Sequence, residues 1–299
     1  MPALEERQRF EKGSLIEVIG PSEEEMVHLH KELGLDPGLV RDALDPYESP
    51  RLEQAHGSTY IFARFPMKSD AGAMSTVPFM IVLSNNFVAL VSKEKTPLIE
   101  ALSQYEDDLA STQRVKLVLQ MLGQSNRRYE HYLQEAEHQI NSLHVQAKRE
   151  RISNEEIMRF ISFEETMDDF INSLIPQNAV YHNLLSGKTI ELFNEDKELI
   201  EGLILHSEEL TALAKTALRS SINIRNAYST VLGNSLNRII KFFTSLTIIL
   251  TVAVIIPSIY GMNVDLPLQS SPGAFWIILA ITAAISIFLV WIFNKKRWL

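Results

Sequence analysis

Residues 242–260 read FFTSLTIILTVAVIIPSIY, nineteen residues without a charged side chain, and Gly261-Met262-Asn263 follows directly. At about 1.5 Å per residue a helix of this length is roughly 28 Å long, close to the thickness of the hydrocarbon core of a bilayer. A second uncharged run, residues 275–293, lies near the end of the chain. The two runs predict two transmembrane helices, preceded by a large soluble part.

The net charge is divided unevenly between these two parts. The chain carries −9 over 299 residues, but residues 241–299 carry +3, which leaves −12 on residues 1–240. An acidic soluble part argues against nucleic acid as a partner, because it would repel phosphates. It suits a protein that handles cations, although an acidic surface is also an ordinary means of solubility. The chain has no cysteine, which excludes disulfides and thiolate metal sites.

The basic residues next to the two runs predict their orientation in the membrane. Arg238 and Lys241 precede the first run and Lys295-Lys296-Arg297 follow the second, whereas the connector 261–274 holds one Asp and no Lys or Arg. Cytoplasmic flanks carry the excess of basic residues, so we expect both termini in the cytosol and a short outer loop. Residues 1–15 lack the apolar core of a signal peptide. The pattern indicates a multi-pass protein of the cytoplasmic membrane.

Residues 1–95 mix strand and helix patterns and predict a cytosolic α/β domain. Residues 14–20 alternate like a strand, and Ser22 with Glu25 has the form of a capping box, which opens a helix that stops at Gly34. Asp36-Pro37 begins a second short helix. Further strands are predicted at 59–66, 77–84 and 87–91, with Asn85-Asn86 as a tight turn.

Residues 96–241 predict a helical bundle and stalk. The segment 114–148 contains no proline and a single glycine, and a further helix is expected to end near Gly187. From Thr189 to Tyr260 we predict one continuous helix that leaves the cytosol and becomes the first transmembrane helix. The fold class is therefore an α/β N-terminal domain plus a long helical stalk that continues into a two-helix transmembrane domain.

The polar residues of the first transmembrane helix recur on one stripe. Their spacings of 7, 3, 4 and 7 fit a period of 3.5 in the series Asn237, Thr244, Thr247, Thr251 and Ser258, and Ile240, Val254 and Gly261 complete it. In a symmetric bundle of parallel copies the stripe would face the axis and line a water-containing cation path with hydrophobic constrictions. The alternative is a packing seam whose hydroxyls bond the i−4 carbonyl of their own helix.

The predicted second transmembrane helix has few polar side chains. Thr282 and Ser286 are almost its only polar residues, so it is expected to lie outside the first helix, facing lipid. Ser245, one step off the stripe of the first helix, is expected to bond its own backbone.

The C-terminal part of the chain contains Tyr260-Gly261-Met262-Asn263, followed by a short loop, a final apolar run and the tail Lys-Lys-Arg-Trp-Leu. In these features it closely resembles the CorA magnesium transporter family. Upstream, Asn237, Lys241, Thr244 and Thr247 are similar to that family's Asn-x-x-Met-Lys-x-x-Thr-x-x-Thr run, with Ile240 in place of the Met. The clear resemblance covers roughly residues 225–299.

The resemblance implies a homopentamer in which the first transmembrane helix of each subunit lines a central pore. Gly261, Met262 and Asn263 would form the outer mouth. Mg²⁺ loses its waters reluctantly, so an entrance of neutral acceptors suits the hydrated ion, and the Asn263 side chain and the Gly261 carbonyl supply such acceptors. We further expect Gly261 to let the chain leave the helix and approach the axis closely, and Met262 to be a packing residue that holds the loop.

The resemblance also implies that intracellular Mg²⁺, bound between cytosolic subunits, closes the pore. Acids in suitable elements are Asp107, Asp108, Asp168 and Asp169. Carboxylate oxygens bind divalent cations, but these acids are equally typical of solvated helix faces.

The sequence thus predicts a divalent cation channel that takes up Mg²⁺, with Co²⁺ and Ni²⁺ as further candidate ions, driven by the membrane potential and without catalysed chemistry. Two alternatives stay open, a zinc transporter of the same superfamily and a non-conducting, membrane-anchored coiled-coil scaffold. A hydrolase finds no support, because the chain lacks a Gly-rich phosphate loop, a nucleophile elbow and a metal-ligand signature.

Overall fold

The computed structural model describes residues 8–9, 14–68, 72, 74–103, 114–149, 154–268 and 271–298. The chain forms two compact units, Met1–Ile224 and Arg225–Leu299. The first unit contains a sheet and the helices around it, and the second contains the two long apolar helical segments. Each unit is described by itself below.

The sheet of the first unit has six strands among the described residues. The strands are β1 Gln8–Arg9, β2 Ser14–Ile19, β3 Arg51–Ala55, β4 Ser58–Lys68, β5 Met74–Leu83 and β6 Phe87–Ser92. Their order across the sheet is β1-β2-β6-β5-β4-β3. The pair β2 and β6 is parallel, and the other neighbouring pairs are antiparallel.

Seven helices complete the described residues. They are α1 Glu23–Leu33, α2 Pro37–Asp42, α3 Leu98–Ser103, α4 Arg114–Arg149, α5 Asn154–Leu185, α6 Asn194–Tyr260 and α7 Ala274–Lys295. The predicted long helices are confirmed, and so is the continuous helix that runs up to Tyr260. The boundary between the two units falls within α6.

Local sequence signals fix the small elements as predicted. Ser22 and Glu25 form the full capping box of α1, and Gly34 ends that helix at φ 69°, a left-handed conformation that glycine adopts at little cost. The Asp36 carboxylate accepts from the N–H groups of the first turn of α2. The N–H of Ser84 donates to the carbonyl of Phe87 at 3.1 Å, which closes the predicted two-residue turn.

Two strands were missed, and one helix start was placed too early. β3 is a short, half-exposed edge strand, and β1 has only two residues, so neither shows a strand pattern. The long helix begins at Asn194 and not at Thr189. The carbonyl of Thr189 accepts from Gln54 at 3.1 Å, and the Asp196 carboxylate accepts from the N–H of Phe193 at 3.0 Å. These two contacts hold the connector outside the helix and cap its first turn.

Strands β4, β5 and β6 are buried on both faces of the sheet, so their sequences read as nearly continuous apolar runs. Alternate residues of β4 enter two separate cores: Ile61 and Phe65 belong to one, Tyr60 and Phe62 to the other. The first core is completed by α3, α4, α5 and the start of α6, and the second by α1 and α2. The unit is therefore a sheet between two layers of helices.

A buried polar cluster joins the sheet to three of these helices. The Asn126 Oδ1 accepts from Gln177 at 3.3 Å and from Tyr181 at 3.0 Å, and the Asn126 amide donates to the carbonyl of Leu203 in α6 at 3.2 Å. Gln177 in turn accepts from the N–H of Arg64 in β4 at 3.3 Å. Burial raises the pKa of Tyr181, so its hydroxyl stays neutral and remains a donor.

Candidate ion pathway

Two helices of the described residues are long and apolar enough to cross a membrane. They are α6, through its segment after Lys241, and α7, and most side chains in both apolar segments are exposed in the single chain. Because exposed Ile, Leu, Val and Phe side chains are costly in water, these two segments require a bilayer or other protein around them.

The predicted stripe on α6 is exposed along its whole length. Among its apolar members, Ile240 is 52% exposed and Val254 is 66% exposed. The polar members Asn237, Thr244, Thr247, Thr251 and Ser258 are exposed too. Ser245, which points to a different face, is fully buried. The second unit therefore covers the Ser245 face of α6 and leaves the stripe open.

Two hydroxyls of the stripe donate to carbonyls of their own helix. Thr247 donates to the carbonyl of Phe243 at 2.8 Å, and Thr251 donates to the carbonyl of Thr247 at 2.7 Å. Such bonds are what a packing seam would show, but they also have a chemical consequence on an exposed face. A hydroxyl that has committed its proton still offers lone pairs, so each of these side chains presents an acceptor. Off the stripe, Ser245 bonds its own backbone, as predicted.

The end of α6 is tightened at the predicted mouth. The N–H of Gly261 reaches the carbonyls of Pro257 and Ser258, both at 3.1 Å, and the N–H of Met262 reaches the carbonyl of Ile259 at 3.2 Å. These bonds, one i to i−4 and two i to i−3, satisfy carbonyls that a helix end would otherwise leave free. The helix thus stops at Tyr260, and the mouth residues begin directly after it.

The chain itself does not require glycine at position 261. A Cβ built there would meet the carbonyl of Ser258 at 3.5 Å, an ordinary contact, and Gly261 is not among the residues with a positive φ. The chain does leave the helix directly before Gly261, but the backbone conformation there is open to other residues. The close approach of Gly261 to an axis stays a prediction.

Met262 and Asn263 are exposed, and Met262 is 55% exposed. The single chain therefore does not bury Met262, and its role as a packing residue that holds the loop stays a prediction. A contact that the sequence analysis missed ties the loop: the Tyr260 hydroxyl donates to the carbonyl of Pro267 at 3.3 Å. No sequence pattern pairs these positions, because the bond depends on how the loop folds back.

One face of α7 is covered and not exposed to lipid. Thr282 is 7% exposed and Phe293 is 8% exposed, and the Ser286 hydroxyl is buried without a hydrogen-bond partner among the described residues. Thr282 donates to the carbonyl of Ile278 at 2.8 Å. The polar residues Thr282 and Ser286 of the second transmembrane helix thus lie on its covered face, and its contact with lipid on the other faces stays a prediction.

Of the four predicted regulatory acids, the structure describes Asp168 and Asp169. Asp107 and Asp108 lie outside the described residues. Asp168 is exposed, whereas the Asp169 carboxylate accepts from the N–H of Thr76 at 3.3 Å and so helps to fix α5 on β5. Across the described part of the chain, no group of three or more His, Asp or Glu residues is placed to hold a metal ion.

The layered α/β unit, the long helix and the two apolar segments define a class of membrane protein with a large soluble part and two C-terminal transmembrane helices. A family model described as CorA-like Mg²⁺ transporter protein matches residues 12–297. The chain belongs to this family. Most of the chain, and not only its membrane segments, is therefore covered by the match.

Individual relatives agree with this assignment. The chain is 26% identical over 296 residues to the cobalt/magnesium transport protein CorA of Methanocaldococcus jannaschii, covering 95% of this chain and 90% of that protein. It is 19% identical over 273 residues to the cobalt/magnesium transport protein CorA of Thermotoga maritima, covering 89% and 77% of the two chains.

Solved structures share the fold. The complete structure of the CorA magnesium transporter from Methanocaldococcus jannaschii matches with a TM-score of 0.83 at 24% identity, over 96% of this chain and 92% of that chain. The full-length CmaX protein matches with a TM-score of 0.76 at 16% identity, over 96% and 89%. The cytoplasmic domain of ZntB from Vibrio parahaemolyticus matches with a TM-score of 0.59 at 11% identity, over 75% and 90%.

Proposed function

We propose that this protein is a channel for the uptake of Mg²⁺, and of Co²⁺ as a second ion, through a central pore. Membership in the CorA-like family supports the class of substrate, and the named relatives are cobalt/magnesium transport proteins. The observation that carries the mechanism is the exposed stripe of α6 with its acceptor hydroxyls. The driving force is the inside-negative membrane potential, worth about 2.3 kcal/mol per charge per 100 mV.

The chemistry of the stripe matches a hydrated cation. Waters bound to Mg²⁺ point their protons outward, so the hydrated ion is a cluster of hydrogen-bond donors. Thr247 and Thr251 have committed their own protons to the helix and offer acceptors to those waters. Neutral acceptors bind the hydrated ion weakly enough to release it, which conduction requires. No bond is made or broken, so we propose a transporter and not an enzyme.

A central pore requires several copies of the chain. We propose a homopentamer, as the family resemblance implies, in which each subunit contributes its α6 to the axis and α7 lies outside. Asn237 and Ile240 would form the inner part, Thr244, Thr247, Thr251, Val254 and Ser258 the middle, and Gly261-Met262-Asn263 the outer mouth. The exposed side chains of Ile240 and Val254 would form the hydrophobic rings of this pathway.

The membrane placement follows from the same flanking charges. We propose that the protein lies in the cytoplasmic membrane with both termini in the cytosol and the loop after Tyr260 outside. The basic groups Arg238, Lys241 and Lys295 would then lie at the inner surface, where anionic lipids favour them.

Regulation by intracellular Mg²⁺ is part of the proposal. Of the four acids considered, Asp169 already accepts a backbone hydrogen bond, which leaves the exposed Asp168 and the pair Asp107 and Asp108 as candidate ligands between subunits. Replacing Asp168 by Asn should make Mg²⁺ uptake less sensitive to Mg²⁺ inside the vesicle. Unchanged sensitivity would remove Asp168 from the regulatory site.

Uptake of Mg²⁺ into proteoliposomes, followed with an enclosed Mg²⁺ indicator, tests the channel. We expect Asn263→Ala and Asn237→Ala to lower the flux strongly, because each removes a ring of acceptors from the pathway. The matched control is Asn172→Ala, which changes an exposed residue of α5 away from the stripe. Absence of flux from the wild type would favour the scaffold, and equal flux in all variants would contradict a pathway lined by Asn237 and Asn263.

Competition between ions decides the remaining alternative. Mg²⁺ uptake is measured with Zn²⁺ or Co²⁺ added outside, and direct uptake of each ion is followed with its own indicator. We expect Co²⁺ to compete and to enter, and Zn²⁺ to enter poorly. Entry of Zn²⁺ in preference to Mg²⁺ would instead identify a zinc transporter of the same superfamily.

A further inference from the structure

The end of α7 folds back on itself in a defined motif. The N–H of Trp298 reaches the carbonyl of Phe293 at 2.9 Å, and the N–H of Arg297 reaches the carbonyl of Asn294 at 3.0 Å. The indole of Trp298 stacks on the ring of Phe293, with the centroids 5.7 Å apart and an angle of 10°. These are the bonds and the apolar contact of a Schellman helix end.

Arginine occupies the position of this motif that normally holds glycine. Arg297 has a φ of 56°, which lies in the left-handed region that residues with a Cβ adopt at a cost. Glycine would form the same helix end without strain. A guanidinium is therefore held at a fixed place after the helix although the backbone would favour another residue, and strain of this kind is a pointer to function.

Among the described residues of the second unit, the cations of this segment have no anionic partner. Lys295 Nζ lies 5.2 Å from the centroid of the Trp291 ring, and Lys296 and Arg297 are exposed. The only acid in residues 225–299 is Asp265, which precedes α7 at its opposite end. No salt bridge to the three cations occurs among the described residues. The positive charges of Lys295, Lys296 and Arg297, beside the indoles of two tryptophans, are therefore suited to bind a negatively charged ligand.

We propose that this segment, residues 291–298, binds the head group of an anionic phospholipid. The Arg297 guanidinium and the Lys296 ammonium hold the lipid phosphate, since guanidinium groups bind phosphate through two parallel hydrogen bonds. Trp291 and the stacked Trp298 lie at the depth of the glycerol backbone, where amphipathic rings favour the membrane interface. The inference rests on the membrane location in the proposed function and is independent of ion conduction.

The neighbouring surface of α7 favours a lipid over a free phosphate ion. Towards the middle of the helix, Ile287 is 70% exposed, Phe288 is 57% exposed and Trp291 is 58% exposed. An acyl chain attached to the bound head group can lie along these apolar side chains, which a free phosphate cannot use. The basic residues and the neighbouring apolar surface of α7 together therefore match an anionic phospholipid, which has both a charged head group and acyl chains.

Native mass spectrometry of the full-length protein, released from detergent with lipid added, tests the site. Phosphatidylglycerol and phosphatidylcholine with identical acyl chains are compared at equal concentration. We expect preferential retention of phosphatidylglycerol by the wild type. Arg297→Gly keeps the helix end and removes one charge, and should lower this retention about fivefold, the factor that corresponds to about 1 kcal/mol for one basic residue at an anionic surface.

The control is Lys188→Gln, which removes an exposed basic residue of the first unit and leaves the end of α7 intact. It should retain phosphatidylglycerol like the wild type, whereas Trp298→Ala should lose retention because the stacked end opens. Equal retention of the two lipids by the wild type would overturn the proposal, and so would equal losses in Arg297→Gly and Lys188→Gln. Displacement of the lipid by millimolar glycerol phosphate would also overturn it, because the site would then serve soluble phosphates. Mg²⁺ flux of the same samples reports on the proposed function separately.

Discussion

At the scale of single residues, the threonines of α6 show how one hydrogen bond serves two purposes. Thr247 and Thr251 each satisfy a carbonyl of their own helix, which membrane helices commonly require of hydroxyls. The same bond fixes the direction of the proton and leaves the oxygen as an acceptor. Back-bonding and a role in the ion pathway are therefore compatible, and the sequence analysis had treated them as alternatives.

Replacing Thr251 by Val tests the acceptor role. The two side chains have similar shape, so the variant removes the hydroxyl oxygen with little change in packing. We expect Mg²⁺ flux in proteoliposomes to fall about fivefold or more, since one neutral hydrogen bond is worth about 1 kcal/mol and every subunit loses one. Thr282→Val on the packed face of α7 should keep the flux near that of the wild type. A pathway that does not use the hydroxyl would show equal flux in both variants.

Tyr260→Phe tests the tie between the helix end and the loop. The variant keeps the ring and removes the hydroxyl that donates to the carbonyl of Pro267. We expect amide hydrogen exchange in the loop to become faster and selectivity for Mg²⁺ over larger cations to decrease, because the mouth is held less firmly. Unchanged exchange and unchanged ion competition would show that the bond has no role in positioning.

At the scale of elements, the buried cluster around Asn126 holds the sheet and the helices α4, α5 and α6 in register. All three side chains of its centre, Asn126, Gln177 and Tyr181, are buried with relative exposure of 0%. A polar network without access to water is stable only when its groups are paired, because each unpaired group retains the cost of its lost hydration. This cluster thus specifies one arrangement of the elements that enclose the larger core.

Asn126→Ala should be strongly destabilising for this reason. It removes the acceptor of the Tyr181 hydroxyl and the side-chain donor to the carbonyl of Leu203, and it leaves the amide of Gln177 with only its bond to Tyr181, at an expected cost of about 2–3 kcal/mol. Thermal unfolding of the full-length protein in detergent measures the effect. Gln134→Ala, an exposed position on the same helix, should change the transition by much less. Equal shifts for the two variants would argue that the cluster is not important for stability.

At the scale of the whole molecule, the separation of charge and hydrophobicity organises the protein. The acidic first part contains nearly all carboxylates, and residues 225–299 hold one acid and a set of cations that precede the first apolar segment or follow the second. An acidic soluble part attracts divalent cations towards it, and basic flanks orient the membrane helices. The assembly of several copies around α6 is what would bring the exposed stripe to an axis.

The absence of cysteine from the chain makes this assembly directly testable. Val254→Cys places a thiol on the stripe, and Ile287→Cys places one on an outward face of α7; the native side chains are 66% and 70% exposed. A positively charged thiol reagent should block Mg²⁺ flux in the Val254→Cys protein and leave the Ile287→Cys protein active. Block of both proteins or of neither would contradict a pore lined by α6 and surrounded by α7.

The sequence by itself determined the elements whose signals are local. Each of these elements depends on residues that are adjacent in the sequence. They are the capping box of α1, the glycine that ends that helix, the two-residue Asn85-Asn86 turn and the two apolar segments. The resemblance carried by Tyr260-Gly261-Met262-Asn263 also identified the family correctly. Motifs and periodic patterns suffice here because neighbouring residues interact whatever the rest of the chain does.

Only the tertiary structure decided features that depend on contacts between distant residues. The edge strand β3 forms because β4 pairs with it, and α6 starts at Asn194 because Gln54 holds the preceding connector. The Asp169 carboxylate accepts a hydrogen bond from the N–H of Thr76, and the Tyr260 hydroxyl donates to the carbonyl of Pro267. Neither hydrogen bond follows from a sequence pattern. Such contacts join groups whose proximity depends on the path of the backbone, and that path is fixed only when both cores and the loops are packed together.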